Sequence, residues 1–305
     1  MKKKEQTRML LLAFFCIVFC GQTKAQVLTI TKPDGLNYGF YMFGGCGIFG
    51  YSGTIKDLTI PATAYLDEEY ENGYWGLASG YHNVGTVTGF ADCQTLETVT
   101  IKNPGYLWIS SDAFTRCPNL TTLYWPTCEY GSDIQNQAFK DCVKLKYITL
   151  PDSLSTIQNL AFSGCTSLTE IVFPKNFEYI GAASFEDCKS LTTIKFNEGK
   201  NLSIDNAAFK NCTSLKELTI PNRVTRIGPS AFEGCKNLTS LTFSEGDNPL
   251  EIIGGEGYAP FPGCNIKSLD LGRSINCSWN KVGLSSLQSV VIREGITTLI
   301  ENFIY

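Results

Sequence analysis

The sequence predicts an α/β solenoid, rich in β-strand, in which an N-terminal cap precedes a repeat array. Eight segments share one spacing of apolar residues, and their cysteines fall at positions 93, 117, 142, 165, 188, 212, 235 and 264. The steps between these cysteines are 24, 25, 23, 23, 24, 23 and 29 residues, so the repeat is about 23 residues long. A fixed period in the twenties is typical of a solenoid, in which each repeat buries its apolar face against its neighbours.

Each repeat divides into a strand half and a turn half. In one typical unit, Leu168, Ile171 and Phe173 occupy a stretch in which apolar and polar residues alternate, as they do in a half-buried strand. Pro174 follows and is expected to end this strand, because proline cannot donate a hydrogen bond to the ladder. Ile180 marks a second short strand, after which we expect a turn of helix over the Ala-Phe-x-x-Cys segment. The Phe, Leu and Cys side chains are expected to stack into one continuous core.

The chain divides into three regions on this reasoning. Residues 26–89 do not show the repeat well and are interpreted as a β-rich N-terminal cap, because an array end exposes an apolar cross-section that must be covered. Residues 90–305 form the predicted repeat array. The last cysteine step carries about six extra residues, around Asp247 to Tyr258. Insertions in solenoids form loops, often on a binding face, so Tyr258 is a candidate contact residue, with a tolerated surface insertion as the alternative.

Residues 1–25 are predicted to be a signal peptide. Lysines at positions 2–4 make a basic start, Met9 to Phe19 is an apolar run, and cleavage is expected after Ala25. The run is too short to span a bilayer, and no other stretch approaches the required length, so the mature chain is expected to have no transmembrane segment. A lipid anchor on Cys20 is an open alternative. We therefore expect an exported protein that is extracellular or lies at the cell surface.

The charge of the chain argues against a nucleic-acid partner. The formal net charge is −4, and removal of the first 25 residues takes away five basic residues and one acidic residue, which leaves −8. Nucleic-acid binding depends on the neutralisation of phosphates by basic side chains. An acidic exported chain therefore favours other partners.

The repeated cysteine is interpreted as a packing position. Export favours disulfides, but eight cysteines hold the same place in successive repeats, where a small and often buried residue with a weak donor packs well. We expect a column of reduced, buried thiols. Disulfides between neighbouring repeats stay open as an alternative, because strand spacing brings such residues within reach of each other. Cys46, Cys128 and Cys277 lie outside this position.

No catalytic or metal-binding motif is evident in the sequence. His82 is the only histidine, and no nucleophile motif such as G-x-S-x-G occurs. The cysteines form no C-x-x-C pair, and one histidine cannot complete a conventional structural zinc site with them. We therefore expect no enzymatic activity, no metal and no cofactor.

The repeat frame A-F-x-x-C-x-x-L-x-x-[IL]-x-[ILF]-P recurs from residues 138, 161 and 208, and from 113 with Trp as the last apolar residue. It resembles the BspA-type leucine-rich repeat family of bacterial surface proteins. The resemblance covers roughly residues 90–292, and the unit from 260 departs by placing Pro260 for Ala and Ile266 for Leu. It implies a right-handed superhelix and a role in adhesion to host matrix proteins, such as fibronectin or fibrinogen, or to other cells.

The outward face of the predicted strands is the best candidate for a functional surface. If the apolar residues of the frame face the core, the residues between them face solvent, although a one-residue slip in register would invert this. Aromatic residues are enriched in binding hot spots, and Tyr124, Tyr147 and Trp125 are expected to cluster. Exposed threonine is also simply a good strand former. The candidate contact residues on this face are Tyr124, Tyr147, Glu170, Lys195 and Glu217.

The sequence therefore favours a secreted or surface-displayed repeat protein that binds other macromolecules. The expected mechanism is an extended polar contact through the sheet face. Two alternatives stay open. One is a carbohydrate-binding surface module in which exposed Tyr and Trp rings stack on sugars, and the other is a structural spacer in a larger surface assembly.

Overall fold

The computed structural model describes most of the predicted array and parts of the segment that precedes it. The predicted signal peptide and Tyr258 lie outside the described residues. The described residues are 27–31, 35–41, 46–51, 54–66, 80–102, 105–248, 250–253, 259–277, 284, 286–294 and 296.

The described residues contain 23 β-strands and no helix. The strands are β1 Val27–Thr31, β2 Leu36–Tyr41, β3 Cys46–Tyr51, β4 Asp57–Ile60, β5 Thr63–Leu66, β6 Gly80–Val87, β7 Thr98–Ile101, β8 Leu107–Ile109, β9 Thr122–Tyr124, β10 Ser132–Ile134, β11 Tyr147–Thr149, β12 Leu154–Ile157, β13 Glu170–Phe173, β14 Tyr179–Ile180, β15 Thr193–Phe196, β16 Leu202–Ile204, β17 Glu217–Ile220, β18 Val224–Ile227, β19 Ser240–Phe243, β20 Leu250–Ile252, β21 Ser268–Leu271, β22 Ile275–Cys277 and β23 Ser289–Ile292.

From β6 onwards the chain alternates between two sheets, as expected of a β-solenoid. The even-numbered strands β6 to β22 pair side by side in one sheet, here called the back sheet, which β1, β2, β3 and β5 extend at its start. The odd-numbered strands β7 to β23, together with β4, lie in the opposite layer, here called the frame sheet. The frame sheet has three hydrogen-bonded segments, β4-β7-β9-β11, β13-β15 and β17-β19-β21-β23. The strand pairs of the array are parallel.

The turn of helix predicted over the Ala-Phe-x-x-Cys segment is not found, and these residues form successive turns instead. Positive φ, which a right-handed helix excludes, recurs at two positions of the unit. The first position precedes the Ala-Phe pair or its equivalent and is occupied by Asp112, Gln137, Leu160, Ala183, Ala207 and Ser230. The second directly precedes the repeated cysteine and is occupied by Asp92, Arg116, Asp141, Gly164, Asp187, Asn211, Gly234 and Gly263. The fold is therefore a β-solenoid, and the right-handed superhelix stays a prediction.

A column of stacked aromatic rings forms the centre of the core. Consecutive ring centroids are 5.0 to 5.4 Å apart and the ring planes lie within 19° of parallel. The predicted stack of phenylalanines is therefore present, and each turn contributes one ring to it. The column runs through Tyr51, Phe90, Phe114, Phe139, Phe162, Phe185, Phe209, Phe232 and Phe261.

The strands before residue 90 continue both sheets of the array. β4 pairs in parallel with β7, and β3 pairs in parallel with β6. Tyr51 occupies the first position of the aromatic column, and its hydroxyl donates a hydrogen bond to Cys93 Sγ at 3.1 Å. β1 and β2 pair in antiparallel fashion at the start of the back sheet. The boundary at residue 89 stays a prediction.

The repeated cysteines form a buried column beside the rings. All nine cysteines whose side chains are described, Cys128 among them, carry free thiols. From Cys117 to Cys264, each column thiol donates to the carbonyl oxygen of the phenylalanine one turn earlier, at 3.0 to 3.4 Å. Burial raises the pKa of the thiols of Cys165 and Cys188. The column is therefore a packing and hydrogen-bonding element, in which Cys165 and Cys188 are poor nucleophiles.

Two buried arginines link successive turns, which the sequence pattern did not reveal. Arg223 donates from Nη1 to the carbonyl oxygens of Asn197 and Pro174, at 2.5 and 3.3 Å, and from Nη2 to that of Phe177 at 2.8 Å. Arg273 repeats the arrangement 50 residues later, with Nη1 2.7 Å from the carbonyl oxygen of Asn222. Burial lowers the pKa of Arg273 to about 10. Each guanidinium satisfies backbone carbonyls at turn corners that the sheets leave unpaired.

Candidate interaction surface

The outward face of the frame sheet has the register that the sequence analysis assumed. Tyr147 pairs with Thr122 and Thr149 pairs with Tyr124 across β9 and β11. Burial alternates along β13 and β17, where every second residue is exposed. The residues between the frame positions therefore face solvent along the length of the described array.

The structure brings Tyr124 and Tyr147 onto neighbouring strands, two residues apart in register. Their relative exposures are 48% and 57%, high values for aromatic side chains. Lys146 Nζ lies 5.1 Å from the centroid of the Tyr147 ring, within the range of a cation–π contact. Trp125 does not join this pair, contrary to expectation. It is fully buried because it occupies the inward frame position that an aliphatic residue or Phe occupies in other units.

The charged candidates lie further along the same face. Glu170 on β13 accepts a hydrogen bond from Lys195 Nζ on β15, at 2.5 Å. Because both side chains are about half exposed, this ion pair adds little stability and stays available to a partner. Glu217 is exposed on β17, in the next hydrogen-bonded segment of the sheet. The candidates therefore form a row and not one compact site.

A second exposed aromatic cluster lies on the back-sheet side, and sequence reasoning missed it. Trp108 on β8 is 43% exposed, and Tyr106 and Tyr130, just before β8 and β10, are 36% and 61% exposed. The Tyr106 and Trp108 rings meet edge to face at 5.0 Å. The signal was present in the alternation of Leu107, Trp108 and Ile109. Trp108 takes the outward position that Asp133 and Thr156 take in the next two units, and the repeat frame does not single out that position.

Conventional reactive sites are not apparent in the described residues. Among them, no group of three or more His, Cys, Asp or Glu side chains is arranged to hold a metal ion. In that same part of the chain, no helix is long and apolar enough to cross a membrane. The side chain of His82 lies outside the described set, although its backbone is part of β6.

The family of the chain follows from its repeats. The BspA type Leucine rich repeat region matches residues 84–130, 132–254 and 202–305, in six copies. These segments cover more than half of the sequence, so the chain belongs to this family. No curated protein matches the chain.

Several solved structures of bacterial proteins resemble this one. A leucine rich cell surface protein from Faecalibacterium prausnitzii A2-165 is 22% identical, with a TM-score of 0.57 over 90% of this chain and 78% of that chain. A leucine-rich repeat protein from Bacteroides ovatus is 22% identical, with a TM-score of 0.45 over 87% and 77% of the two chains. The T. pallidum leucine-rich repeat protein is 26% identical, with a TM-score of 0.43 over 71% and 86%. The first of these similarities supports the leucine-rich repeat fold.

Proposed function

We propose that this protein is an exported surface scaffold that binds other proteins through the outward face of the frame sheet. The observation that carries the proposal is the continuous exposed row on that face, with Tyr124 and Tyr147 adjacent and with charged groups further along. Membership of a leucine-rich repeat family of surface proteins is consistent with a role in protein interaction. The predicted signal peptide supports export.

The shape of this face favours an extended contact. Its ten described strands, at a spacing of about 4.8 Å, make a surface roughly 45 Å long. A stable protein interface buries about 800 Å² on each partner. Each strand offers only three or four residues, so a contact limited to the middle of this face buries less area than that. A partner therefore has to follow much of the array or reach its edges. Solenoids are well suited to such contacts because successive turns present equivalent positions.

Host matrix proteins are the proposed partner class. They are long, multidomain and accessible at a cell surface, and an acidic repeat scaffold can bind them through many shallow contacts. The two tyrosines are the proposed anchors, because aromatic side chains contribute large contact area at low conformational cost. The charged residues contribute mainly to association rate and selectivity.

The test is binding of the purified protein to immobilised fibronectin and fibrinogen, with a glycan array in parallel. The Tyr124→Ala/Tyr147→Ala variant is expected to weaken matrix binding at least about tenfold, since hot-spot aromatics contribute 2 kcal/mol or more. The matched control is Tyr106→Ala/Tyr130→Ala, which removes two exposed tyrosines from the other side and should leave matrix binding unchanged. Absence of binding to both proteins, or equal loss in both variants, would contradict the proposal. Glycan signal that depends on Tyr124 and Tyr147 would replace it with the carbohydrate alternative.

A further inference from the structure

The aromatic cluster on the back-sheet side has a defined geometry that the proposed function does not use. Tyr106 and Tyr130 lie at the corners that lead into β8 and β10, and the Tyr130 amide donates to the Gly105 carbonyl oxygen at 2.6 Å. A Cβ placed on Gly131 would lie 3.7 Å from Tyr106 Cε2, so the Tyr106 ring packs against this turn. Trp108 points outward from β8 and meets Tyr106 edge to face. The Tyr106 and Trp108 rings are therefore in contact at one solvent-facing corner, and a backbone hydrogen bond brings Tyr130 to the same corner.

Carboxylates border these rings. Asp133 pairs with Trp108 across β8 and β10 and so lies beside it on the same face of the back sheet. Ser155 Oγ and Thr156 Oγ1 both donate to Asp133 Oδ1, at 2.8 and 2.7 Å, and no described group donates to Oδ2. Burial raises the pKa of Tyr106, and the negative charge of Asp133 raises it further. The Asp133 carboxylate is therefore held in place with one oxygen left for a ligand.

Glu129 supplies a second negative charge. Its carboxylate interacts with the neighbouring Tyr130 hydroxyl and raises the pKa of Tyr130. Neither Glu129 nor Asp133 takes part in an ion pair with any basic group that the structure describes. The ring faces are also electronegative, since the π-system concentrates negative charge there. The cluster is thus an electronegative surface whose two carboxylates form no ion pair with a basic side chain in the described part of the chain.

On the frame sheet, in contrast, basic side chains already lie beside the candidate contact residues. Lys146 already lies over the Tyr147 ring, and Lys195 neutralises Glu170. Among the described residues no comparable cation lies over Tyr106, Trp108 or Tyr130. The contrast indicates that the two surfaces suit ligands of different charge.

We propose that Tyr106, Trp108 and Tyr130, with Glu129 and Asp133, bind a lysine or arginine side chain on a basic segment of a protein partner. An ammonium or guanidinium group over an aromatic face gains cation–π attraction. The neighbouring carboxylates add charge-assisted hydrogen bonds. Charge complementarity favours this ligand over a neutral sugar, because a sugar would leave both carboxylates without a counter-charge. This site lies on the opposite sheet from the proposed matrix-binding face and does not depend on it.

The test is calorimetric titration of the intact protein with a hexalysine peptide, with hexaglutamate and a panel of neutral oligosaccharides as comparison ligands. Hexalysine is expected to bind to the native protein. Trp108→Thr is expected to lower the affinity for hexalysine at least about tenfold. This substitution leaves the net charge unchanged, and threonine is a good strand former. Asp133→Asn should weaken binding by a comparable factor. The matched control is Glu170→Gln, which removes one exposed carboxylate from the frame sheet and should change hexalysine affinity less than twofold.

The outcomes separate this proposal from the proposed function. Equal hexalysine affinity in the native protein and in Trp108→Thr would show diffuse charge attraction and overturn the proposal. Neutral oligosaccharides that bind in a Trp108-dependent manner, without hexalysine binding, would also overturn it in favour of a sugar platform. Loss of matrix binding in Tyr124→Ala/Tyr147→Ala tests the frame sheet alone, so either surface can fail without the other.

Discussion

The aromatic column yields the sharpest stability prediction. Phe162 is fully buried and stacks between Phe139 and Phe185, with centroid distances of 5.1 and 5.3 Å. Phe162→Ala is expected to reduce the free energy of unfolding by about 3–5 kcal/mol, because a buried ring and its packing contacts are lost. Phe162→Leu retains an apolar side chain and loses mainly the two ring contacts, so it is expected to cost about 1–3 kcal/mol.

Urea denaturation followed by circular dichroism measures these differences, and hydrogen exchange locates them. Each turn of a solenoid contacts only its neighbours, so increased exchange is expected in the turns around Phe162 before it reaches β4 and β7. Val172→Ala, an exposed change on the frame sheet, serves as control and should stay within about 0.5 kcal/mol. The reasoning that the stacked rings hold the turns together would be refuted by either of two results. One is a loss of unfolding free energy below about 1 kcal/mol in Phe162→Ala, and the other is an equally large loss in Val172→Ala.

Three further predictions concern backbone conformation, buried charge and pH. Ala183→Gly should raise the free energy of unfolding by about 0.5 kcal/mol, and Gly164→Ala should lower it by about 1 kcal/mol, because both positions have positive φ; urea denaturation measures both changes. Arg223→Met should destabilise the fold by about 3 kcal/mol, since the carbonyls of Asn197 and Phe177 lose their donor and that of Pro174 keeps only the Phe177 amide, and thermal unfolding measures the loss. A hydrogen bond to Cys93 raises the pKa of Tyr51 to about 12, and burial does the same for Tyr179. Their stabilising contribution is therefore present below about pH 10 and lost as the pH rises towards 12, which urea midpoints in alkaline buffers can follow.

Repetition explains why so much of the fold was predictable from the sequence. Because every turn meets equivalent neighbours, the inward positions of the array carry the same residue types, and the Phe and Cys columns follow from their spacing. The second strand of each turn was predicted from a single apolar position such as Ile180, which lies in β14. The predicted turn of helix failed because apolar spacing does not report backbone handedness. Leu160 and Ala183 adopt positive φ although neither residue favours it.

The functional surface was less accessible to sequence reasoning for a physical reason. Exposed positions are not constrained by packing, so they do not repeat, and only register assigns them to a face. The register predicted the exposure of Tyr124 and Tyr147 correctly. Trp125 was expected to cluster with them, although the same frame gives it an inward position, where it is fully buried. Tyr130 reaches Tyr106 and Trp108 only through the corner where its amide bonds to Gly105, and contacts between successive turns at such corners leave no periodic signal.

The central claim is that the frame sheet is the face that binds a protein partner. Hydroxyl-radical footprinting of the protein alone and with fibronectin or fibrinogen tests it directly, because Tyr124, Tyr147 and Tyr130 are all exposed reporters. The account predicts that the partner lowers the oxidation rates of Tyr124 and Tyr147 and leaves that of Tyr130 unchanged. Protection of Tyr130 with no change at Tyr124 and Tyr147, or no protection by either partner, would contradict it.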